Sequence, residues 1–293
     1  MKISIITISF NSMQTIEATL NSILKQTYRP LEYVLVDGLS KDGTVEMIES
    51  YIPKFLESGI EVQFISEKDS GIYNAMNKGI KLCTGDIIGI LNSDDIYVSD
   101  QIVEEIAQKF NPSEDALEKS FKTQLTPSLS SKERGKRECG EIEVVYGDLL
   151  LSNNGKVYRE IKGRVFEEVT GFNVNDMKFN HPTMFVCSTV YEKVGYFDEK
   201  FRIAADKDLV VRMIQNKIRF IKLEKPITTM DIGGETGRTR KIKEIIEAMQ
   251  EGWRIGKNNH FGLIPTLWMC SRSLKYRVLA YTKYHLFKML GKE

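Results

Sequence analysis

The 293-residue chain holds 41 Lys/Arg against 40 Asp/Glu and is 42% hydrophobic, enough apolar content to build a core and to exclude a chain disordered throughout. The near-neutral total hides an asymmetry: Thr236 to Glu293 carries 12 Lys/Arg and 4 Asp/Glu, a tail of +8 behind a body of −7. Such a tail is expected to meet an anionic surface, and composition does not choose between lipid headgroups and nucleic acid.

Length allows one large domain or two. Ile3 to Phe10 is a β-branched run that predicts a buried first strand. Ile16, Leu20, Ile23 and Leu24 then recur at helical spacing until Pro30. Leu31 to Val36 predicts a second strand ending at Asp37-Gly38, and Val45, Ile48, Tyr51 and Ile52 a second helix. Val62 to Ile65 is a third strand. The polar turn Ser66–Gly71 opens a helix through Ile72, Ala75, Met76 and Ile80. Gly85 to Asn92 is a short buried strand that runs into Asp94-Asp95. Alternating strands and helices predict βαβ units and a mostly parallel sheet.

Three successive strands thus deliver an Asp just past their carboxyl ends: Asp37, Asp69, and the Asp94-Asp95 pair. One alone is a turn former. Three on one edge predict a converging acidic site where open α/β sheets bind ligands. Adjacent buried carboxylates are costly without a cation, and a divalent metal carrying a diphosphate meets that need.

Asn111 to Gly140 is polar without periodicity and reads as an exposed insertion, either a tolerated surface loop or a lid. Strand character resumes from Val144 to Leu151 in a second lobe, with Asn180-His181-Pro182 near its middle. Leu209, Val210, Met213 and Ile214 predict a helix with Asp206 at or just before its start. Asp206 is either an N-cap or a general base. Cys83, Cys139, Cys187 and Cys270 form no C-x-x-C pair, which excludes the common zinc and redox spacings and fits reduced thiols in a cytosol. With no secretory pattern after Lys2 and no apolar run of about 18 residues, the chain is expected to be cytoplasmic or peripheral on the inner face of the cell membrane.

The ordered set Thr7-Ile8-Ser9-Phe10-Asn11, Gln26-Thr27-Tyr28, Val36-Asp37-Gly38 through Thr44, Ser66 through Gly79, Asn92-Ser93-Asp94-Asp95 and Ala205-Asp206-Lys207-Asp208-Leu209 resembles the inverting family 2 glycosyltransferases of the GT-A fold. The resemblance runs from Lys2 to about Gly234, and is nearest to the bacterial branch that builds surface polysaccharides of O-antigen, capsule or colanic acid type. It implies an α/β fold with a Rossmann-like, mostly parallel sheet, a smaller acceptor-side lobe and a C-terminal helical tail. Residues 1–110 would form the nucleotide-sugar half, 111–140 an insertion, 141–235 the acceptor and base half, and 236–293 the basic tail.

The resemblance further implies that Thr7, Ser9, Asn11, Asp37, Asp69, Lys78 and Asp94 hold the nucleotide sugar. Asp95, with Asp94, would ligate Mn²⁺ or Mg²⁺, and Asp206 would be the catalytic base. His181 would line the acceptor side or stand there as a packed turn residue. The donor would be a UDP-sugar, and the acceptor a saccharide or an undecaprenyl-diphosphate-linked oligosaccharide; no nucleic acid partner is implied. The stretch Gln250-Glu251-Gly252-Trp253-Arg254 does not match the signature of processive synthases, which implies one sugar per encounter.

The aromatic and basic tail 261–293 would lie on the inner membrane surface, pack on the catalytic lobe or form a dimer contact. A sugar nucleotidyltransferase would need a Gly-rich basic loop that Thr7–Ser12 lacks. A nucleic-acid-binding protein would use the tail and leave the acidic strand ends unexplained.

Overall fold

The computed structural model describes residues 1–110, 140, 142–153, 155–165, 167–231 and 242–289. The insertion read at 111–140, apart from Gly140, lies outside the described residues.

Four parallel strands form the first half of the sheet: β1 (Ile3–Ser9), β2 (Leu31–Asp37), β3 (Ile60–Ser66) and β4 (Ile87–Ile90), in spatial order β3-β2-β1-β4. The crossovers are α1 (Ile16–Leu24), α2 (Thr44–Glu57) and α3 (Ile72–Leu82). Every residue of β1 and β2 is buried, as expected of parallel strands covered on both faces. Tyr33 on β2 meets Phe55 of α2 edge-to-face at 5.0 Å, one of the large contacts that seat the helix on the sheet.

The second half is mixed. β5 (Asp95–Tyr97) and α4 (Ile102–Phe110) precede the long β6 (Val144–Asn153), and β7 (Lys156–Ile161), β8 (Phe185–Cys187) and β9 (Phe220–Asp231) complete nine strands in one sheet. β4 pairs antiparallel with β8, β8 with β6, and β5 with β9, while β6 and β9 are parallel. Gly89 makes the joint between the halves: a Cβ there would lie 2.7 Å from the Phe185 ring, so only glycine lets β8 close onto β4. The mostly parallel expectation therefore holds for the first half of the sheet, and reversals begin at β8. Periodicity reports burial rather than strand direction, so it carried no warning of this.

Helix α5 (Ser188–Val194) follows β8, and α6 (Ala205–Gln215) begins with the Asp206 turn. Two further helices, α7 (Ile242–Asn258) and α8 (Leu263–Met289), make the tail. Among the described residues no helix is long and apolar enough to cross a membrane. Cys83 and Cys270 are free thiols, whereas Cys187 is disulfide-bonded, which corrects the expectation that every cysteine is reduced.

Candidate active site

Parallel strands bring their carboxyl ends to one edge, and the register sets Ser9 beside Asp37 and Asp37 beside Ser66. Asp37 is fully buried there and accepts from Ser9 Oγ at 2.9 Å, Ser66 Oγ at 2.8 Å, and Ser40 N and Oγ at 2.9 and 2.5 Å. Its acceptor sites are filled within the chain, so it pins the 37–40 turn to three strands. Thr7, two residues back from the edge, is also fully buried; its hydroxyl donates to Leu91 O at 2.8 Å and accepts from Tyr33 OH at 2.9 Å. The structure does not bring Thr7 to the edge.

Asn11 takes a left-handed backbone, φ 50°, which Asn tolerates better than most residues. Its Oδ1 accepts from Lys41 N at 3.0 Å. Asp69 caps its own turn, accepting from Gly71 N at 2.9 Å. A Cβ on Gly38 would lie 2.6 Å from Asp69 Oδ2 and 3.1 Å from the Phe10 ring, so carboxylate and ring close over bare backbone. Phe10 is 64% exposed, an apolar plane offered at the end of β1 beside a carboxylate. Sequence reading took Phe10 for a strand residue, although its place in the Thr7–Asn11 motif marked it. Lys78 pairs with Glu67 at 2.7 Å and donates to Lys68 O at 2.8 Å, bracing the 67–71 loop from α3.

The acidic corner differs in kind. Asp95 is fully buried; among the described residues its Oδ2 accepts from Asn92 Nδ2 at 3.0 Å and Oδ1 has no partner. Burial first, and then the Asp94 charge, push its carboxyl well above the usual range. Asp94 is raised too, by burial and by the charge of Asp231. Asp231 went unremarked in the sequence; the antiparallel β5–β9 ladder, which sets Asp95 opposite Met230, carries it there. Among the described residues no group of three or more His, Cys, Asp or Glu makes a ready metal cage. Two carboxylates with an orphaned oxygen do fit a divalent ion that takes its remaining ligands from phosphate and water.

Asn92 joins this corner to the second lobe. Its side-chain amide is 3.1 Å from His181 Nε2, and His181 Nδ1 is 3.9 Å from Asp206 Oδ2. Burial lowers the His181 pKa, with Asp206 opposing, which favours the neutral ring. The N-cap of α6 is Ala204, which excludes Asp206 as the cap and puts it in the first helical turn, where its charge suits the dipole. Asp208 is spent structurally, since Arg212 Nε binds it at 2.8 Å and Asn259 Nδ2 at 3.1 Å. Behind His181 and Asp206 lies a small apolar pocket lined by Ile90, Met184, Val186 and Leu209.

The Asn-rich face of α3 straps the halves together. Asn77 both donates to Phe197 O at 2.9 Å and accepts from Phe197 N at 3.0 Å. Tyr73 OH donates to Ile203 O at 2.8 Å, three residues before Asp206, and Tyr73 stacks on Phe197 at 5.5 Å.

A parallel half joined through reversed strands to a mixed half, with acidic residues at the junction, is the GT-A architecture. Residues 4–118 match the family described as glycosyl transferase family 2. A PGL/p-HBAD biosynthesis glycosyltransferase of Mycobacterium bovis is 24% identical over 259 residues, 86% of each chain. S. aureus TarS 1–349 in complex with UDP-GlcNAc superposes with a TM-score of 0.56 at 20% identity, over 87% of this chain and 66% of that one; this chain spans only 39% of the longer TarS chain. A mannosyltransferase from Pyrobaculum calidifontis, in complex with GDP-Man and Mn²⁺, gives 0.58 at 16% identity, over 95% of this chain and 70% of that one. The first 118 residues are thus similar to the family 2 glycosyltransferases, and the whole described fold is similar to that of GT-A enzymes.

Proposed function

We propose that this enzyme moves one sugar from a UDP-sugar to a saccharide acceptor of a cell-surface glycan, with inversion at the anomeric carbon. The observation that carries the reading is the series Asp95–Asn92–His181–Asp206, hydrogen-bonded from Asp95 to His181 and with Asp206 3.9 Å beyond the ring, which sets an under-satisfied carboxylate at one end and a facing carboxylate at the other. The neighbours in complex with UDP-GlcNAc and GDP-Man support a nucleotide-sugar donor, and the mycobacterial relative named for PGL/p-HBAD biosynthesis supports sugar transfer in glycan assembly.

Phe10 and Asp69 would receive the base and ribose, over the backbone of Gly38. Asp95 and Asp94 would hold Mn²⁺ or Mg²⁺, which when bound acts as a Lewis acid on the departing diphosphate. Asp206 accepts the proton of the acceptor hydroxyl as its oxygen bonds to the anomeric carbon and the bond to the diphosphate oxygen breaks. Neutral His181 holds the approach of that hydroxyl between Asn92 and Asp206. Displacement occurs in one step, so the anomeric centre inverts without a covalent intermediate.

The lipid-linked acceptor and the membrane reading rest on the tail. Leu263, Ile264, Leu267 and Trp268 are all about half exposed or more, and Phe172 lies 6.4 Å from Trp268 ring to ring. An aromatic and aliphatic face of this kind suits an interfacial helix. Its basic side is only partly free, because Arg272 pairs bidentately with Asp176 at 2.6 and 2.9 Å. The side chains of Tyr276, Arg277, Tyr281, Lys283, Tyr284, Phe287 and Lys288 lie outside the described residues.

The deciding experiment measures UDP release over a panel of nucleotide sugars and acceptors. Asp206→Asn should keep UDP binding and lose turnover by about 10²–10⁴-fold; turnover near the wild-type rate would move the base elsewhere. EDTA should abolish transfer and added Mn²⁺ restore it, and full activity in EDTA would remove the metal from the reading.

A further inference from the structure

The stretch that fails the processive signature, Gln250 to Arg254, contributes a buried carboxylate to the other side of the site. Glu251 on α7 is 6% exposed. It accepts from three consecutive backbone N–H groups: Arg202 N at 2.6 Å, Ile203 N at 3.1 Å and Ala204 N at 2.9 Å. Those residues are the last before α6, and Asp206 follows two positions after Ala204. Without Glu251 these donors would face a helix start that has no side-chain cap of its own.

Neighbouring contacts keep α7 in register with this segment. Arg202 pairs with Glu247 at 3.2 Å, and Arg254 donates to Lys200 O. Tyr73 holds the same backbone from the nucleotide half, through Ile203 O. The turn that carries Asp206 is thus gripped through its carbonyl by the donor half and through its N–H groups by the tail.

We infer that Glu251 is a positioning residue for sugar transfer: by fixing the backbone of 202–204 it aims Asp206 at the acceptor hydroxyl, which makes the tail part of the catalytic apparatus. This rests on the reading of Asp206 as base. Among the described residues the hydrogen bonds of Glu251 go to the backbone of 202–204 and to none of Phe10, Asp69 and Asp95, so its loss acts on turnover and spares the donor.

The test uses the full chain, with UDP plus Mn²⁺ as the binding probe. The rate is UDP release from whichever of UDP-Glc, UDP-Gal, UDP-GlcNAc and UDP-GalNAc the wild type turns over fastest, with water as acceptor. Glu251→Ala should lower kcat about a hundredfold, the scale of a misplaced reacting group, and leave the Kd for UDP within about twofold. Glu251→Gln keeps one acceptor oxygen and should lose about tenfold, securing the result if the alanine variant folds poorly.

A double-mutant cycle separates positioning from general loosening. Asp206→Asn with Glu251→Ala should be no slower than Asp206→Asn alone, because the interaction Glu251 serves is already gone. Glu251 variants that turn over at the wild-type rate overturn the inference, as does a double variant whose loss is the product of the two single losses. If the wild type binds no UDP with Mn²⁺, the functional reading fails and the inference falls with it. If Asp206→Asn stays active while UDP still binds, only the base assignment, and the positioning built on it, is overturned.

Discussion

Two buried carboxylates at opposite ends of the sheet differ in how far the chain satisfies them. Glu32, at the amino end of β2, is 1% exposed and accepts from Ser4 Oγ, Thr84 N and Oγ1 at 2.8 and 2.7 Å, Gln63 Nε2 at 3.0 Å and Lys2 Nζ at 3.3 Å. Asp95, past the carboxyl end of β4, has one side-chain partner and one orphaned oxygen. Burial by itself raises both. At Glu32 the opposing hydrogen bonds, led by Ser4 and Thr84, win and bring the pKa down to about 2. At Asp95 the Asp94 charge adds to burial. The partners decide the sign.

The sharpest break of this contrast is Asp95→Asn. It should cost about 10³-fold in turnover, the scale of losing an electrostatic group at the reacting centre. The thermal midpoint should hold or rise, because an uncompensated buried charge is removed. UDP-release kinetics beside a thermal melt check both, and a fall in both would make Asp95 structural.

Glu32→Ala should do the reverse, costing about 3 kcal/mol of stability by stranding the groups around it while kcat of the folded enzyme stays at the wild-type value. Denaturant midpoints measure the first and turnover the second. The pH dependence carries the same contrast. Glu32 has a folded pKa of about 2 against an ordinary 4.5, so its stabilisation is fully present above about pH 5 and is lost as pH falls toward 2. The stability gap between wild type and Glu32→Gln should close over that window in acid unfolding. Asp95 has the opposite sign, with its penalty greatest when ionised at high pH, so Asp95→Asn should gain most over wild type there.

The smallest effect is expected at Phe10→Ala, which removes the exposed ring but none of the hydrogen bonds of the edge. UDP binding should weaken by about tenfold, the worth of stacking one base, as read by titration calorimetry with Mn²⁺. Unchanged affinity would place the base elsewhere.

Much of the nucleotide half was legible because its signals are local. Apolar runs of the right length predicted β1 to β4, and the parallel alternation placed Asp37, Asp69 and Asp94-Asp95 on one edge. The roles of individual residues were less legible. Asp37 and Thr7 have the right types in the right motif, yet their hydrogen bonds close inside the chain, and nothing in the spacing distinguishes a saturated acceptor from an open one. Asn74, Asn77 and Tyr73 lie in a motif read for the donor; Asn77 and Tyr73 bind the loop before α6. Glu251 was visible only as part of a failed signature.

By itself the sequence determined the βαβ order, the acidic strand ends and the helix that bears Asp206, since each depends on residues a few positions apart. Tertiary structure alone decided the reversal of the sheet at β8, the approach of Asp231 to Asp94, the Asn92–His181 link across 89 positions and the grip of Glu251 on the turn before Asp206. Those contacts join segments far apart in the chain. They arise from the packing of whole elements, on which no local pattern reports.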